Sequence, residues 1–252
     1  MAEMLRVENV SRRFGGLLAV NRASFTAEAG RITALIGPNG AGKTTLFSII
    51  SGFLPPSDGR IVYAGDDITG SPPDRLARRG IARTFQIVQP FAGLTVRQNI
   101  AVGSHLSRPR RADALAAAGD VARTVGLGHA LDQSAADLTV SSRKRLELAR
   151  ALSIEPRLLL LDEVLAGLNP SEIRDIVPVI RAVVDRGVTI VMIEHVMQAV
   201  MSLAETVFVL SEGRIIAEGS PRAIASDPRV VEAYLGKGAA GRMMAEGSAP
   251  HA

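Results

Sequence analysis

Gly37-Pro38-Asn39-Gly40-Ala41-Gly42-Lys43-Thr44 is the stretch on which the reading of this chain turns. Its pattern is that of a phosphate-binding loop. The apolar run Ile32–Ile36 precedes it, and a segment with Leu46, Phe47, Ile49 and Ile50 follows it, so the loop is predicted to join a strand to a helix. The glycines let the backbone curl until successive amides point at one anion. The helix N-terminus adds a partial positive charge. Lys43 supplies a full charge for the outer phosphates, and the Thr44 hydroxyl can ligand Mg²⁺. Such a loop names a nucleoside triphosphate site and nothing narrower.

Downstream, Leu158-Leu159-Leu160-Leu161-Asp162-Glu163 reads as a buried parallel strand ending in two carboxylates. Ligands gather at the carboxyl ends of such strands. Asp162 can then hold the metal shell, and Glu163 can polarise an attacking water as general base. A second apolar run, Val188–Ile193, ends at Glu194-His195, where a histidine would reach the γ-phosphate. Gln86 follows the run Ile81–Phe85 and on its own says little.

Around these motifs the chain alternates strands and helices. Leu5–Val10, Ser24–Ala27, Arg31–Ile36 and Arg60–Tyr63 are predicted strands, the last after the turn-rich Pro55-Pro56-Ser57-Asp58-Gly59. Val96 to Leu152 reads as mostly helical, with Ala112–Val125 as a surface helix. Helices are expected near Ser171–Asp185 and Val196–Ala204, and a hairpin at Thr206–Leu210 and Arg214–Glu218 turns at Glu212-Gly213. This order predicts an α/β fold with a mainly parallel sheet covered on both faces. Gly236 to Ala252 is rich in Gly and Ala and is expected to be a mobile tail.

The bulk numbers set limits. A chain of 252 residues, 47% hydrophobic, can bury a sizeable core. Its apolar runs are too short to cross a bilayer, so any membrane role is expected to be peripheral. The N-terminus lacks the charged and apolar regions of a signal peptide. Zero cysteines exclude disulfides and thiolate metal sites and fit a cytoplasmic location. A net charge of +4 with 4% aromatics argues for solvated basic faces and against nucleic acid as a partner.

Together these residues resemble an ATP-binding cassette, the nucleotide-binding subunit of ABC transporters. The resemblance runs from about Leu5 to Gly236 and is greatest to importer subunits for branched-chain amino acids and related amides. It is carried by Val10-Ser11-Arg12-Arg13-Phe14-Gly15-Gly16-Leu17, Ile81-Ala82-Arg83-Thr84-Phe85-Gln86, Ala166-Gly167-Leu168-Asn169-Pro170 and Glu232-Ala233-Tyr234-Leu235-Gly236. The resemblance implies a P-loop NTPase fold over residues 1–236, with a mainly parallel core sheet, an antiparallel β subdomain and a helical subdomain at about 87–152. ATP and Mg²⁺ would be the ligands. Phe14 would stack on adenine with Val20 beneath the ring, and Gly37 to Thr44 with Thr45 would hold the phosphates. Thr44, Gln86 and Asp162 would attend the metal; Glu163, His195 and Lys43 would serve catalysis. Asn169 would stand in a loop facing a second cassette.

The implied partners are integral membrane permease subunits, a second ATP-binding cassette subunit and, indirectly, a solute-binding protein. The implied place is the cytoplasmic face of the plasma membrane. Pro90-Phe91-Ala92-Gly93-Leu94-Thr95 lies where the family docks a coupling helix. One segment departs from the pattern. The family's Leu-Ser-Gly-Gly-Gln signature is here Leu138-Thr139-Val140-Ser141-Ser142, with Ser141 or Ser142 expected as the cap of the next helix and the second glycine absent. Two other readings are a soluble ABC-type ATPase and a module that senses ATP without hydrolysing it.

Overall fold

Alternating burial along the first 28 residues gives a long antiparallel hairpin, β1 (Glu3–Phe14) with β2 (Leu17–Glu28), in a computed structural model that describes residues 2–86 and 89–235. Both strands outrun the predicted Leu5–Val10 and Ser24–Ala27. Bulges explain the difference: pairing shifts between Val7 and Val10 and between Val10 and Arg12, and Asn9 and Arg22 sit at positive φ, so the strict alternation of sides is interrupted while the pairing continues. After β3 (Ile32–Ile36) and helix α1 (Lys43–Ile50), β4 (Asp58–Tyr63) and the short β5 (Asp66–Asp67) complete an antiparallel sheet of order β2-β1-β4-β5.

Helix α2 (Pro73–Arg78) leads to β6 (Ile81–Arg83). The predicted helical stretch then resolves into α3 (Val96–Ser104), α4 (Arg111–Thr124), two 3₁₀ turns at Gly128–Ala130 and Ala135–Asp137, and α5 (Val140–Leu152). Helix α4 is more than a surface helix. Its small residues Ala114, Ala118 and Ala122 are fully buried and let it pack closely on α3 and α5. Next come β7 (Leu158–Asp162), α6 (Pro170–Asp185), β8 (Thr189–Ile193), α7 (Met197–Leu203), β9 (Thr206–Ser211) and β10 (Arg214–Gly219). The short helices α8 (Pro221–Ala225) and α9 (Pro228–Leu235) close the described chain, and the expected tail lies outside the described residues.

The second sheet has the order β10-β9-β3-β8-β7-β6, parallel except for the β9–β10 hairpin. Its central strands are buried on both faces, which is why they read as continuous apolar runs rather than as alternation. Neighbouring residues still face different cores. Leu159, Leu161, Ile190 and Met192 pack with the helical elements, whereas Leu158, Leu160, Val191 and Ile193 pack with α1 and the antiparallel sheet. The carboxyl ends of β3, β7 and β8 therefore sit side by side between two packed layers.

Candidate functional site

The phosphate loop occupies the predicted junction of β3 and α1. Gly42 ends the loop at φ 103°, and α1 starts with no side-chain cap, which leaves its first amides for an anion. Two glycines are sterically required. A Cβ on Gly37 would lie 2.0 Å from the Leu210 carbonyl oxygen, and one on Gly42 would lie 2.3 Å from that of Ala19. Lys43 is buried, and its Nζ donates to the carbonyls of Gly37 (2.7 Å) and Pro38 (3.0 Å), inside the curl of the loop. Burial lowers the Lys43 pKa, while the charges of Glu163 and Asp162 act against that shift.

Asp162 and Glu163 follow the end of β7 and do different things. Asp162 is 1% exposed; its Oδ2 accepts from Arg83 at 2.8 Å, and its Oδ1 is buried with no hydrogen-bond partner among the described residues. Thr44, Gln86 and Asp162 line one cavity of about 490 Å³. A hydroxyl, an amide oxygen and a carboxylate with an uncommitted oxygen suit Mg²⁺, which takes few protein ligands and completes its shell with phosphate oxygens and water. Glu163 stands at φ 50°, a left-handed backbone unusual for a side chain of its size. Its Oε1 meets His195 Nε2 at 2.5 Å, and its Oε2 accepts from Gln86 Nε2 at 2.5 Å. Residues from three strand ends thus converge on one carboxylate, and activating a water would require one of these contacts to open.

A cavity of about 660 Å³ runs from Phe14, Leu17 and Ala19 over Asn39–Thr45 to Gln86 and Glu163. Phe14 is 42% exposed, with the Arg12 guanidinium 4.8 Å from its ring centroid on one face, so it is no core aromatic and can stack on a flat ring. Val20 does not meet its expectation. It is fully buried in the core beneath the antiparallel sheet, because the pleat turns it away from the cavity and leaves Ala19 there instead.

A separate apolar groove of about 380 Å³ lies between α2, β6 and the helices α3 and α5, with Phe53, Leu76, Phe85, Val102 and Ile154 among its walls. Phe53 and Phe85 meet edge-on at 5.5 Å, and Arg83 lies over the Phe85 ring. Beside it, the fully buried Asn99 side chain binds the carbonyls of Phe91, Leu94 and Thr95, fixing the predicted docking loop while Phe91 stays 46% exposed.

The family model described as "ABC transporter" matches residues 20–166, and one described as "Branched-chain amino acid ATP-binding cassette transporter" matches residues 214–240. The chain is 37% identical over 250 residues to the high-affinity branched-chain amino acid transport ATP-binding protein BraF of Pseudomonas aeruginosa, covering 93% of this chain and 98% of that one. It belongs to the ATP-binding cassettes of ABC transporters. The cassette is also 38% identical to LivG of Escherichia coli over 93% of its own length and 98% of that protein. The crystal structure of the ADP conformation of an ABC transporter cassette superposes with TM-score 0.86 at 33% identity, over 94% of this chain and all of that one. The cassette is accordingly an α/β ATPase subunit that binds nucleotide.

Within the cassette, one further expectation changes. Thr139, not Ser141 or Ser142, caps α5: its Oγ1 accepts from the Ser142 amide at 3.2 Å. Asn169 caps α6 through the amides of Ser171 and Glu172, so its side chain is engaged within its own loop. Three charged residues escaped sequence reasoning as site residues. Arg83 pairs with Asp162, Lys144 reaches the carbonyls of Gln86 and Glu163, and Glu194 accepts from the Leu165 amide. Their only sequence signal is proximity to motifs: Arg83 precedes Gln86 by three residues, and Glu194 precedes His195.

Proposed function

We propose that this cassette hydrolyses ATP to drive a transporter that imports branched-chain amino acids or related small polar solutes. The relatives named for branched-chain amino acid transport and the matched segment 214–240 support the solute class. The observation that carries the chemistry is the convergence of Gln86 and His195 on the Glu163 carboxylate beside the phosphate loop. Phe14 supports the adenine. Lys43, the loop amides and the N-terminus of α1 take the phosphates. Thr44, Asp162 and Gln86 would hold Mg²⁺, which when bound neutralises phosphate charge. Glu163, released by Gln86 or His195 as the phosphates arrive, takes the proton of the attacking water, and His195 then hydrogen-bonds the γ-phosphate.

Permease subunits are the occupants proposed for the apolar groove, since Phe53, Phe85, Phe91 and Val102 are all at least two-fifths exposed around it. No described helix is long and apolar enough to cross a membrane, so attachment to the cytoplasmic face would come through that groove. A second cassette would close over the nucleotide, and a solute-binding protein would act through the permease. The segment Leu138–Ser142 favours a non-identical second cassette. Without the second glycine it would complete its partner's site less well than an ordinary signature, making the two sites unequal.

Glu163→Gln should keep ATP binding but abolish ATPase activity and uptake of labelled leucine in vesicles holding the assembled transporter. Unchanged hydrolysis would remove Glu163 from the chemistry. Unchanged uptake with hydrolysis lost would uncouple this cassette from transport.

A further inference from the structure

The chain contains three lysines, and one of them, Lys43, belongs to the phosphate loop. Lys144 lies near the start of α5 and is 8% exposed. A buried ammonium is tolerated only when its donors are satisfied. Its Nζ donates to the peptide oxygen of Glu163 at 3.1 Å and that of Gln86 at 3.4 Å, and the carboxylates of Glu147 and Glu194 act on it at longer range.

The Glu163 peptide is where position matters. Its left-handed backbone persists only if the surroundings hold it. The Glu163 amide donates to Ile193 at 3.0 Å, and two residues on, the Leu165 amide donates to Glu194 at 2.9 Å. Both of these supports come from the end of β8. The Glu163 carbonyl accepts from the Ala166 amide at 3.2 Å within its own turn, and its support from a distant element comes from α5 through Lys144. The same ammonium also holds the carbonyl of Gln86, whose side chain binds Glu163 Oε2. One buried cation therefore touches the backbone of both partners in the Gln86–Glu163 contact.

We infer that Lys144 is a positioning residue that holds the Glu163 and Gln86 peptides at the spacing where their side chains meet, so that the setting of the base follows the placement of α5. This rests on the reading of Glu163 as the base. Because α5 begins at the segment expected to face a second cassette's nucleotide, Lys144 joins that surface to this chain's own catalytic carboxylate.

The test compares Lys144→Met, Lys144→Arg and Glu163→Gln in the full chain purified with the subunits that accompany it. Turnover and the dissociation constant for ATP are measured separately. Lys144→Met should lower kcat about tenfold or more, since misplacement near 1 Å suffices for such losses, while ATP affinity changes less than about threefold because the phosphate loop is untouched. Lys144→Arg, which keeps the donors, should recover at least about a third of the parent turnover. If Lys144→Met fails to fold, Lys144→Gln, which keeps one donor group, is held to the same kcat and affinity criteria. An inactive Glu163→Gln beside a Lys144→Met within twofold of the parent overturns the inference alone. A Glu163→Gln as active as the parent overturns the reading of the base, and the inference with it. A Lys144→Arg as slow as Lys144→Met, or a parallel loss of ATP affinity, also overturns the positioning role.

Discussion

Replacing Glu194 by glutamine tests how the cassette holds the loop beyond its catalytic carboxylate. Glu194 is 2% exposed; Oε1 accepts from the Leu165 amide at 2.9 Å, and Oε2 has no hydrogen-bond partner among the described residues. Burial raises its pKa from 4.5 to about 7, with the charge of Glu163 adding to the shift, while backbone hydrogen bonds from Leu165 and His195 and the charge of Lys144 oppose it. A carboxyl whose folded pKa exceeds its unfolded value contributes stability that is complete below the unfolded pKa and is lost as pH rises through the folded one. At about pH 5 the contribution is roughly 2.5 kcal/mol, and at about pH 8 it is close to zero.

Glutamine keeps an oxygen for Leu165 and cannot titrate. The unfolding free energy of Glu194→Gln relative to the parent should therefore rise by about 2.5 kcal/mol from pH 5 to pH 8, whatever its absolute offset. Urea unfolding of both proteins at four pH values in that window checks this, because their other titrating groups cancel in the difference. Parallel stability curves would falsify the view that Glu194 is protonated in the fold near neutrality.

Phe14→Ala should raise the dissociation constant for ATP about tenfold, by the 1–3 kcal/mol typical of base stacking, and leave the single-turnover rate at saturation unchanged; equilibrium titration with a fluorescent ATP analogue measures it. Arg83→Met leaves the Asp162 charge buried and unpaired, so thermal and urea unfolding should show about 3–5 kcal/mol of lost stability at neutral pH. Thr139→Ala removes the α5 cap and should cost about 1 kcal/mol in the same assay, which Thr139→Ser should restore.

The phosphate loop and the two apolar strands before Asp162 and His195 were legible because each carries its meaning locally. A glycine spacing, or a run of leucines ending in acids, needs no distant residue to be read. The same holds for the β9–β10 hairpin, whose Glu212-Gly213 turn is written in the chain. Val20 illustrates the converse. Its side of the sheet depends on bulges near Asn9 and Arg22, and one shifted pairing sends a side chain from cavity to core. The charged contacts behind the site were illegible for another reason. Lys144 and Glu163 lie 19 residues apart and Arg83 and Asp162 lie 79 apart, so only the folded sheet order brings them together. Helices α2, α8 and α9 were missed because five to eight residues leave too little periodicity to recognise.

The altered segment Leu138–Ser142 takes on a narrower meaning in the folded chain. A glycine can be needed for its backbone freedom or for the space its missing Cβ leaves. None of the described residues with positive φ falls between Leu138 and Ser142, so no left-handed conformation there demands glycine. The helix start is also sound, since Thr139 caps it and bonds the Ser142 hydroxyl at 3.1 Å. What the serine at 141 changes is the space above the first turn, where Val140 already stands 62% exposed. Any weakness of the site this segment completes would then be steric. Ser141→Gly should raise ATP turnover in the partner cassette's site without altering the stability of this chain by more than about 1 kcal/mol, the usual cost of glycine in a helix. Turnover by an assembled transporter whose only intact base is the partner's would measure it. A substitution that leaves that turnover unchanged would mean the segment's spacing, not its bulk, sets the strength of the site.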